Sequence, residues 1–217
     1  MDTQFARNQM VTQQVRAWDV LDLRVLTVFE ALPRERFVPE RYRKLAFADM
    51  QIPLPHGQVM MAPQVEGRLL QALDPQADES ALEIGTGSGF VTACLAKMAG
   101  EVLSVDIFAE FTEAAGKTLK DIGIHNVQLE TRDGSRLDWL TQRFNLIVVT
   151  GSLPAYDKLY AERLDVGGRL FVIVGQPPVM EALLITRVGE DAWSRESLFE
   201  TDLPALVNAS VPQSFRF

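Results

Sequence analysis

The sequence predicts an α/β fold: a mostly parallel seven-stranded sheet, an antiparallel hairpin at its C-terminal edge, and a helical extension at its N-terminus. Three observations carry this. First, the short apolar run at residues 81–84 ends in glycines at alternate positions, Gly85, Gly87 and Gly89. Phe90, Val91, Cys94, Leu95 and Met98 follow at helical spacing, the pattern of a buried strand, a tight turn and a helix. Second, further apolar runs at 102–106, 127–131, 146–150 and 169–174 alternate with amphipathic stretches, as strands of a covered parallel sheet do. Third, residues 183–188 and 194–199 flank Gly189-Glu190-Asp191, which reads as a hairpin.

Taken in order, residues 2 to about 44 read as helical. Phe5, Met10, Val11, Val15 and Trp18 form an irregular apolar stripe. A second helix starts near Asp22, turns Val25, Leu26, Phe29 and Leu32 inward, and stops before Pro33. Phe37-Val38-Pro39 is an extended link, and 40–45 a further helical turn. Residues 49–63 are rich in proline and glycine, have no usable period and carry no charge beyond Asp49. They form a loop or extended segment, and an uncharged loop packs down or lines a site. Residues 64–73 form a helix through Val65, Leu69, Leu70 and Leu73, and 74–80 a polar connector. The helices at 90–99 and 109–122 follow the first two sheet strands. A short helix covers 137–140, and Gly167-Gly168 turns the chain into the strand at 169–174.

The 217 residues, 47% hydrophobic and 23% charged, have ordinary globular composition and suit one domain. A net charge of −8 speaks against holding nucleic acid by phosphate neutralisation. Arg34, Arg36, Arg41, Arg43 and Lys44, interrupted by Glu35 and Glu40, read as a solvated face that also attracts an anionic substrate. The single cysteine, Cys94, falls on an apolar helix face and reads as core; no intrachain disulfide is possible. No apolar run approaches membrane-spanning length and residues 1–5 lack a signal pattern, so the expectation is a cytoplasmic protein with no membrane partner. No metal-ligand grouping stands out. Monomer and homodimer are both open.

The glycine turn is the chemical centre. Glycine leaves the main chain bare and accepts positive φ, and the helix behind it presents unpaired N–H groups to a ligand. A dinucleotide fingerprint requires a third glycine where this chain has Phe90. Glu83 precedes the turn and Asp106 ends the next apolar run. The pattern Glu-x-Gly-x-Gly-x-Gly with a later strand-end acid resembles the class I S-adenosylmethionine methyltransferases, which implies a Rossmann-like fold and that cofactor. Four places then converge at the carboxyl ends of the strands. Glu83, Gly85, Thr86, Gly87, Ser88 and Gly89 are expected to take the amino-acid end, Asp106 with Ile107 the ribose, Arg132-Asp133-Gly134 the adenine, and Thr150 with Ser152 the neighbourhood of the reacting sulfur.

The chain further resembles the protein-L-isoaspartate O-methyltransferase family along most of its length. The segments that carry this are residues 31–39 (Ala-Leu-Pro-Arg-Glu-Arg-Phe-Val-Pro), Ala46-Phe47-Ala48-Asp49, Ile52-Pro53, Gly57-Gln58 with Ala62-Pro63, residues 83–89, Asn126-Val127, Arg132-Asp133-Gly134, Thr150 and 164–170. The resemblance implies one domain over 1–217, with helices and a substrate loop in 1–73 and the cofactor-binding core in 74–217. It implies carboxyl methylation of isoaspartyl residues, the first step of their repair, with S-adenosylhomocysteine as product and a protein or peptide acceptor. One departure stands out: where the family has Thr-Ile-Ser after Gly-Gln, this chain has Val59-Met60-Met61. In the family that serine faces the methyl group and the substrate carboxylate. A thioether donates no hydrogen bond, so a carboxylate brought against Met61 goes without one donor, at a cost of about 1–3 kcal/mol and one to two decades in rate. A carboxylate is already ionised and needs no base. His56, the titratable group in the loop, reads as a structural residue, as a contact to an acidic acceptor or as the base for a hydroxyl acceptor; His125 reads as structural. Two alternatives stay open, a methyltransferase for a more apolar small-molecule acceptor and a non-catalytic cofactor-binding protein.

Overall fold

The N-terminal stripe winds as helix α1 (Thr3–Met10), then a π-helical turn (Val11–Val15) and a 3-10 turn (Arg16–Trp18). These bounds come from a computed structural model that describes residues 3–211; Asp2, where the sequence places the helix start, lies outside the described residues. In the π turn the Arg16 N–H donates to the Val11 carbonyl, and Met10, Val11 and Val15 all point inward. Phe5 and Trp18, expected in the same stripe, are exposed. Phe5 lies about 140° round the helix from Met10, and the change of pitch after Met10 breaks the period that would carry Trp18 inward.

Helix α2 (Leu23–Ala31) starts where the Asp22 carboxylate accepts a hydrogen bond from the Arg24 N–H (2.8 Å). It buries Val25, Leu26 and Phe29. Residues Arg34–Arg36 and Glu40–Leu45 are 3-10 turns. Arg34 corrects the expectation of a solvated basic face: it is fully buried. Its guanidinium lies 4.5 Å from the Phe90 ring centroid, donates to the carbonyls of Ala46 and Met61 (both 2.9 Å), and pairs with Glu66. Burial of the cation is offset by these partners, and Glu66 lies in the helix that follows the Pro/Gly-rich loop, a match too distant in sequence to read. Strands β1 (Ile52–Pro53) and β2 (Val59–Met60) fold that loop into a small antiparallel hairpin around a 3-10 turn at Pro55–Gly57. His56 (φ 57°) and Gly57 (φ 68°) are left-handed there. Helix α3 (Pro63–Leu73) begins on its proline, whose missing N–H costs nothing in the first turn.

The sheet then forms by alternation: β3 (Ser80–Ile84), α4 (Phe90–Met98), β4 (Glu101–Asp106), α5 (Ala109–Asp121), β5 (Val127–Thr131), β6 (Phe144–Leu153), β7 (Leu164–Gln176), β8 (Val179–Gly189) and β9 (Ala192–Thr201). Its order is β5-β4-β3-β6-β7-β8-β9. Neighbours from β5 to β7 are parallel, and β8 and β9 add the antiparallel edge. Two apolar clusters take alternate residues of the central strands. Ala81, Leu146 and Val148 join the cluster that also holds Phe29, Leu70 and Cys94; Leu82, Ile84, Ile147 and Val149 join the other, with Tyr160 and Leu164. The expected helix at 137–140 is instead a turn, closed by the Leu140 N–H on the Leu137 carbonyl (3.1 Å). Leu137 and Leu140 still bury, but Gly134 and Ser135 just before them sit in a turn of their own.

Several strands run longer than their apolar patterns; Gly167-Gly168, expected as a turn leading into a strand at 169, lies inside β7 because the ladder with β6 already begins at Leu164. The fourth was expected to leave the sheet at Thr150, yet β6 continues to Leu153. It does so through a bulge. Val148 pairs with Phe171 and Ser152 with Ile173, so three residues of β6 face one of β7. The sheet order reverses between β4-β3 and β6, which opens a crevice at the carboxyl ends of these three strands.

Candidate active site

The glycine turn lies in that crevice. Gly85, Gly87 and Gly89 all have positive φ (103°, 50° and 83°). Space forbids a side chain at two of them: a Cβ at Gly85 would meet Thr150 Oγ1 at 2.3 Å, and one at Gly89 would meet the Ala115 Cβ at 2.7 Å. Thr150, thrown out of the ladder by the β6 bulge, donates its hydroxyl toward the carbonyls of Ile84 (3.0 Å) and Gly85 (2.5 Å). The bulge therefore braces the turn from the adjacent strand. Thr86 is tied to Ser104 through their hydroxyls (2.6 Å), and Ser88 Oγ accepts the Phe90 N–H (3.3 Å) at the mouth of α4.

Asp106 closes β4 beside the turn. Its Oδ2 accepts the Gly87 N–H (2.9 Å) and its Oδ1 the Phe108 N–H (3.0 Å). Burial pushes its carboxyl above the usual carboxylate range, and the N–H groups of Gly87, Phe108 and Ile107 oppose that rise. Gly134 packs against Ile84; a Cβ there would meet Ile84 Cγ2 at 2.3 Å. Asp133 spends Oδ1 on the Ser135 N–H (2.9 Å) and Oδ2 on the Asn208 amide (2.9 Å).

A cavity of about 520 Å³, counting its open mouth, runs between these groups. Gly85, Gly87, Asp106, Ile107, Asp133, Gly134 and Thr150 line it, seven of the residues expected from sequence. Gln58 and Val59, from the uncharged loop expected to pack down or line a site, line it too, as do Phe108, Phe111, Leu206 and Val207, which were not expected. Phe108 and Phe111 had a signal, an aromatic pair one helical turn apart directly after Asp106-Ile107. Leu206 and Val207 had none. They arrive because the segment after β9 returns to β6, with the Ser152 N–H donating to the Pro204 carbonyl and the Leu206 N–H to the Ser152 carbonyl. A smaller, adjoining cavity is lined by Met60, Met61, Glu66, Glu83, Ser88 and Thr150 among others.

Four expected residues line neither cavity: Gly89 packs against Ala115, and Ser152, Arg132 and His56 stand elsewhere. Ser152 is fully buried and donates its hydroxyl to the Leu203 carbonyl (2.7 Å), so it fastens the returning segment. The Arg132 side chain points out to Glu130 (3.1 Å). His56 stacks on Phe108 (centroids 3.9 Å apart) and contacts Glu110 (3.0 Å), and it does not line the smaller cavity that holds Met61. Leu54, in the same hairpin, reaches to within 3.5 Å of where a Cβ on Gly87 would sit. The hairpin is a strap over the glycine turn, with His56 as its clasp.

No helix among the described residues is long and apolar enough to cross a membrane. Residues 6–202 match the family model for protein-L-isoaspartate(D-aspartate) O-methyltransferase. A protein-L-isoaspartate O-methyltransferase from Rhodopseudomonas palustris (strain HaA2) is 36% identical over 208 residues, covering 94% of this chain and 85% of the relative. One from Aeropyrum pernix is 36% identical over 195 residues, covering 88% of this chain and 75% of its own length. A crystal structure from Plasmodium falciparum, described as a protein-L-isoaspartate O-methyltransferase in complex with S-adenosyl-L-homocysteine, superposes with a TM-score of 0.79 at 17% identity, covering 92% of this chain and 97% of that one.

Proposed function

The chain belongs to the protein-L-isoaspartate(D-aspartate) O-methyltransferase family, and from that premise we propose that it methylates the abnormal carboxylate of isoaspartyl residues in the crevice between β3, β4 and β6. By family it is an S-adenosylmethionine-dependent O-methyltransferase whose acceptor is a protein or peptide. The residues suit that cofactor. The glycine turn is bare where side chains would clash, the buried acid Asp106 faces the same cavity, and Glu83 keeps one oxygen without a partner beside the turn. The joint that carries the reading is the Asp106 Oδ2 contact to Gly87, which sets a ribose-binding acid against the main chain that would take the amino-acid end.

When bound, S-adenosylmethionine supplies a methyl carbon on a sulfonium: the acceptor oxygen forms the new C–O bond as the S–C bond breaks and its electron pair stays on sulfur. The chain's residues bind and orient. In the turn the N–H groups of Gly85, Thr86, Gly87, Gly89 and Phe90 already donate within the protein, so the donors for a carboxylate come from the first turn of α4. Asp106 offers acceptors for the ribose hydroxyls and Asp133-Gly134 a flat polar edge for the base. Phe108, Phe111, Leu206 and Val207 exclude water. Thr150, its hydroxyl committed to Ile84 and Gly85, holds the turn in place. The acceptor is already an anion, so no residue has to take its proton.

Transfer of labelled methyl from S-adenosylmethionine to a peptide containing isoaspartate, against the same peptide with normal aspartate, tests the proposal. The expected product is a base-labile ester on the isoaspartyl peptide alone. Binding of the cofactor with transfer to neither peptide would defeat the proposal and favour the more apolar acceptor that Met60 and Met61 would suit.

His56→Ala opens the clasp of the strap. Loss of one stacked ring contact and one exposed contact to Glu110 amounts to about 1 kcal/mol, so S-adenosylmethionine affinity falls roughly fivefold, read by calorimetry, with little change in melting temperature. Unchanged affinity with a lower transfer rate would place His56 with the acceptor.

A further inference from the structure

Glu83, in β3 next to the glycine turn, is fully buried. Its Oε2 accepts hydrogen bonds from Ser104 (2.6 Å) and Thr92 (2.5 Å), and its Oε1 has no partner among the described residues, although Glu83 lines the smaller cavity. A dehydrated carboxylate oxygen without a donor is costly unless the group is neutral or a cation stands against it. Among the described residues no cation contacts Glu83. Ser104 and Asp106 face it from β4, Thr92 and Cys94 from α4, and Glu66 from α3, with Arg34 engaged by Glu66. Asp106 and Glu66 add negative charge, and burial keeps the Cys94 thiol neutral.

We propose that Glu83 holds a proton in the free protein and gives it up when the cationic methionine end of S-adenosylmethionine enters, so that donor binding releases a proton to solvent. This rests on the crevice being the S-adenosylmethionine site. The incoming α-ammonium supplies the missing donor to Oε1, and its charge replaces the proton that kept the acid neutral. Burial, aided by Asp106 and Glu66, pushes the Glu83 carboxyl up to about 8, against the two hydroxyls that donate to it. Burial also raises Glu66, but the Arg34 guanidinium in contact with it opposes the rise and makes it the readier of the two to ionise. Glu83 is thus the proton holder of the pair. A group protonated when free and ionised when occupied makes affinity rise with pH up to its free value and level off above it.

Calorimetric titration of the whole protein with S-adenosylmethionine at pH 7.0, in phosphate and in Tris, tests this. The two heats should differ by an amount equal to about 0.5–1 proton released per site, and affinity should rise five- to tenfold from pH 6 to 7. The ligand's own α-amino group, near 7.7–8.0, is mostly protonated at pH 7 and could only take up protons on binding, the opposite sign. Glu83→Gln should bind with equal heats in both buffers and lose the rise in affinity between pH 6 and 7, keeping only the fall that Asp106 imposes at more acid pH. Glu66→Gln, which removes a charge that raises Glu83, should release fewer protons, a check that stands if the first variant fails to fold. Equal heats in the wild type, or release that survives in Glu83→Gln, would overturn the proposal while leaving the cofactor site intact. No binding at millimolar ligand would instead remove the site itself.

Discussion

Met61→Ser should raise kcat/KM for isoaspartyl peptide ten- to a hundredfold. Met61 is 4% exposed and lines the smaller cavity with Gly85 and Thr150, where the resemblance puts the methyl group and the acceptor. Its sulfur donates no hydrogen bond, and the Thr150 hydroxyl, which lines the same cavity, is already committed to two carbonyls. An acceptor carboxylate there loses water without gaining a donor, at about 1–3 kcal/mol. Serine restores the donor. The main chain should stay put, because Arg34 grips the Met61 carbonyl from the buried side. The gain comes with a loss of stability of about 2–4 kcal/mol from the space left in the core. Thermal unfolding read alongside the rate separates the two. Met61→Leu, isosteric and equally without a donor, should leave the rate within about threefold of wild type. A serine variant that stays folded and gains nothing would mean that the acceptor carboxylate lies elsewhere.

Asp106→Asn should weaken S-adenosylmethionine binding thirty- to a thousandfold, about 2–4 kcal/mol. Both oxygens of Asp106 already receive main-chain N–H groups, from Gly87 and Phe108, and both have lone pairs left for ribose hydroxyls. An asparagine turns one of them into a donor, which must face either an N–H or a hydroxyl that has lost its charged acceptor. Asp106→Glu keeps the charge and should lose under tenfold. The same acid gives a pH dependence. The ionised form binds and burial raises its carboxyl, so affinity drops as pH falls through that raised value into the acid range. Equilibrium titrations of the three proteins with S-adenosylmethionine read these effects. Equal affinity in Asp106→Asn would take the ribose away from this residue.

What was legible in the sequence was local. Gly85, Gly87 and Gly89 announce a bare turn because only glycine tolerates its positive φ and the approach of Thr150 and Ala115. Asp106 was legible as the polar end of an apolar run. The parallel sheet and its hairpin edge followed from continuous and alternating apolar patterns. What was missed depends on partners far along the chain. Arg34 looked like part of a charged surface, because nothing near it in sequence reveals Glu66, 32 residues on. The β6 bulge is invisible in an apolar run, since it depends on register against β7. Leu206 and Val207 reach the cavity only through main-chain bonds at Ser152, a serine that looked chemical and is a fastener. His56 was legible as part of a loop over the site, but its stacking on Phe108 follows from the left-handed turn at Pro55–Gly57.

A crystal structure of the protein with S-adenosylhomocysteine is the most direct measurement. The account predicts both ribose hydroxyls on the Asp106 carboxylate, the base beside Gly134 and Phe108, the amino-acid end against the Gly85–Gly89 main chain with its ammonium at Glu83 Oε1, and the sulfur toward Met61. A ribose turned away from Asp106, or a ligand seated outside this crevice, would contradict it.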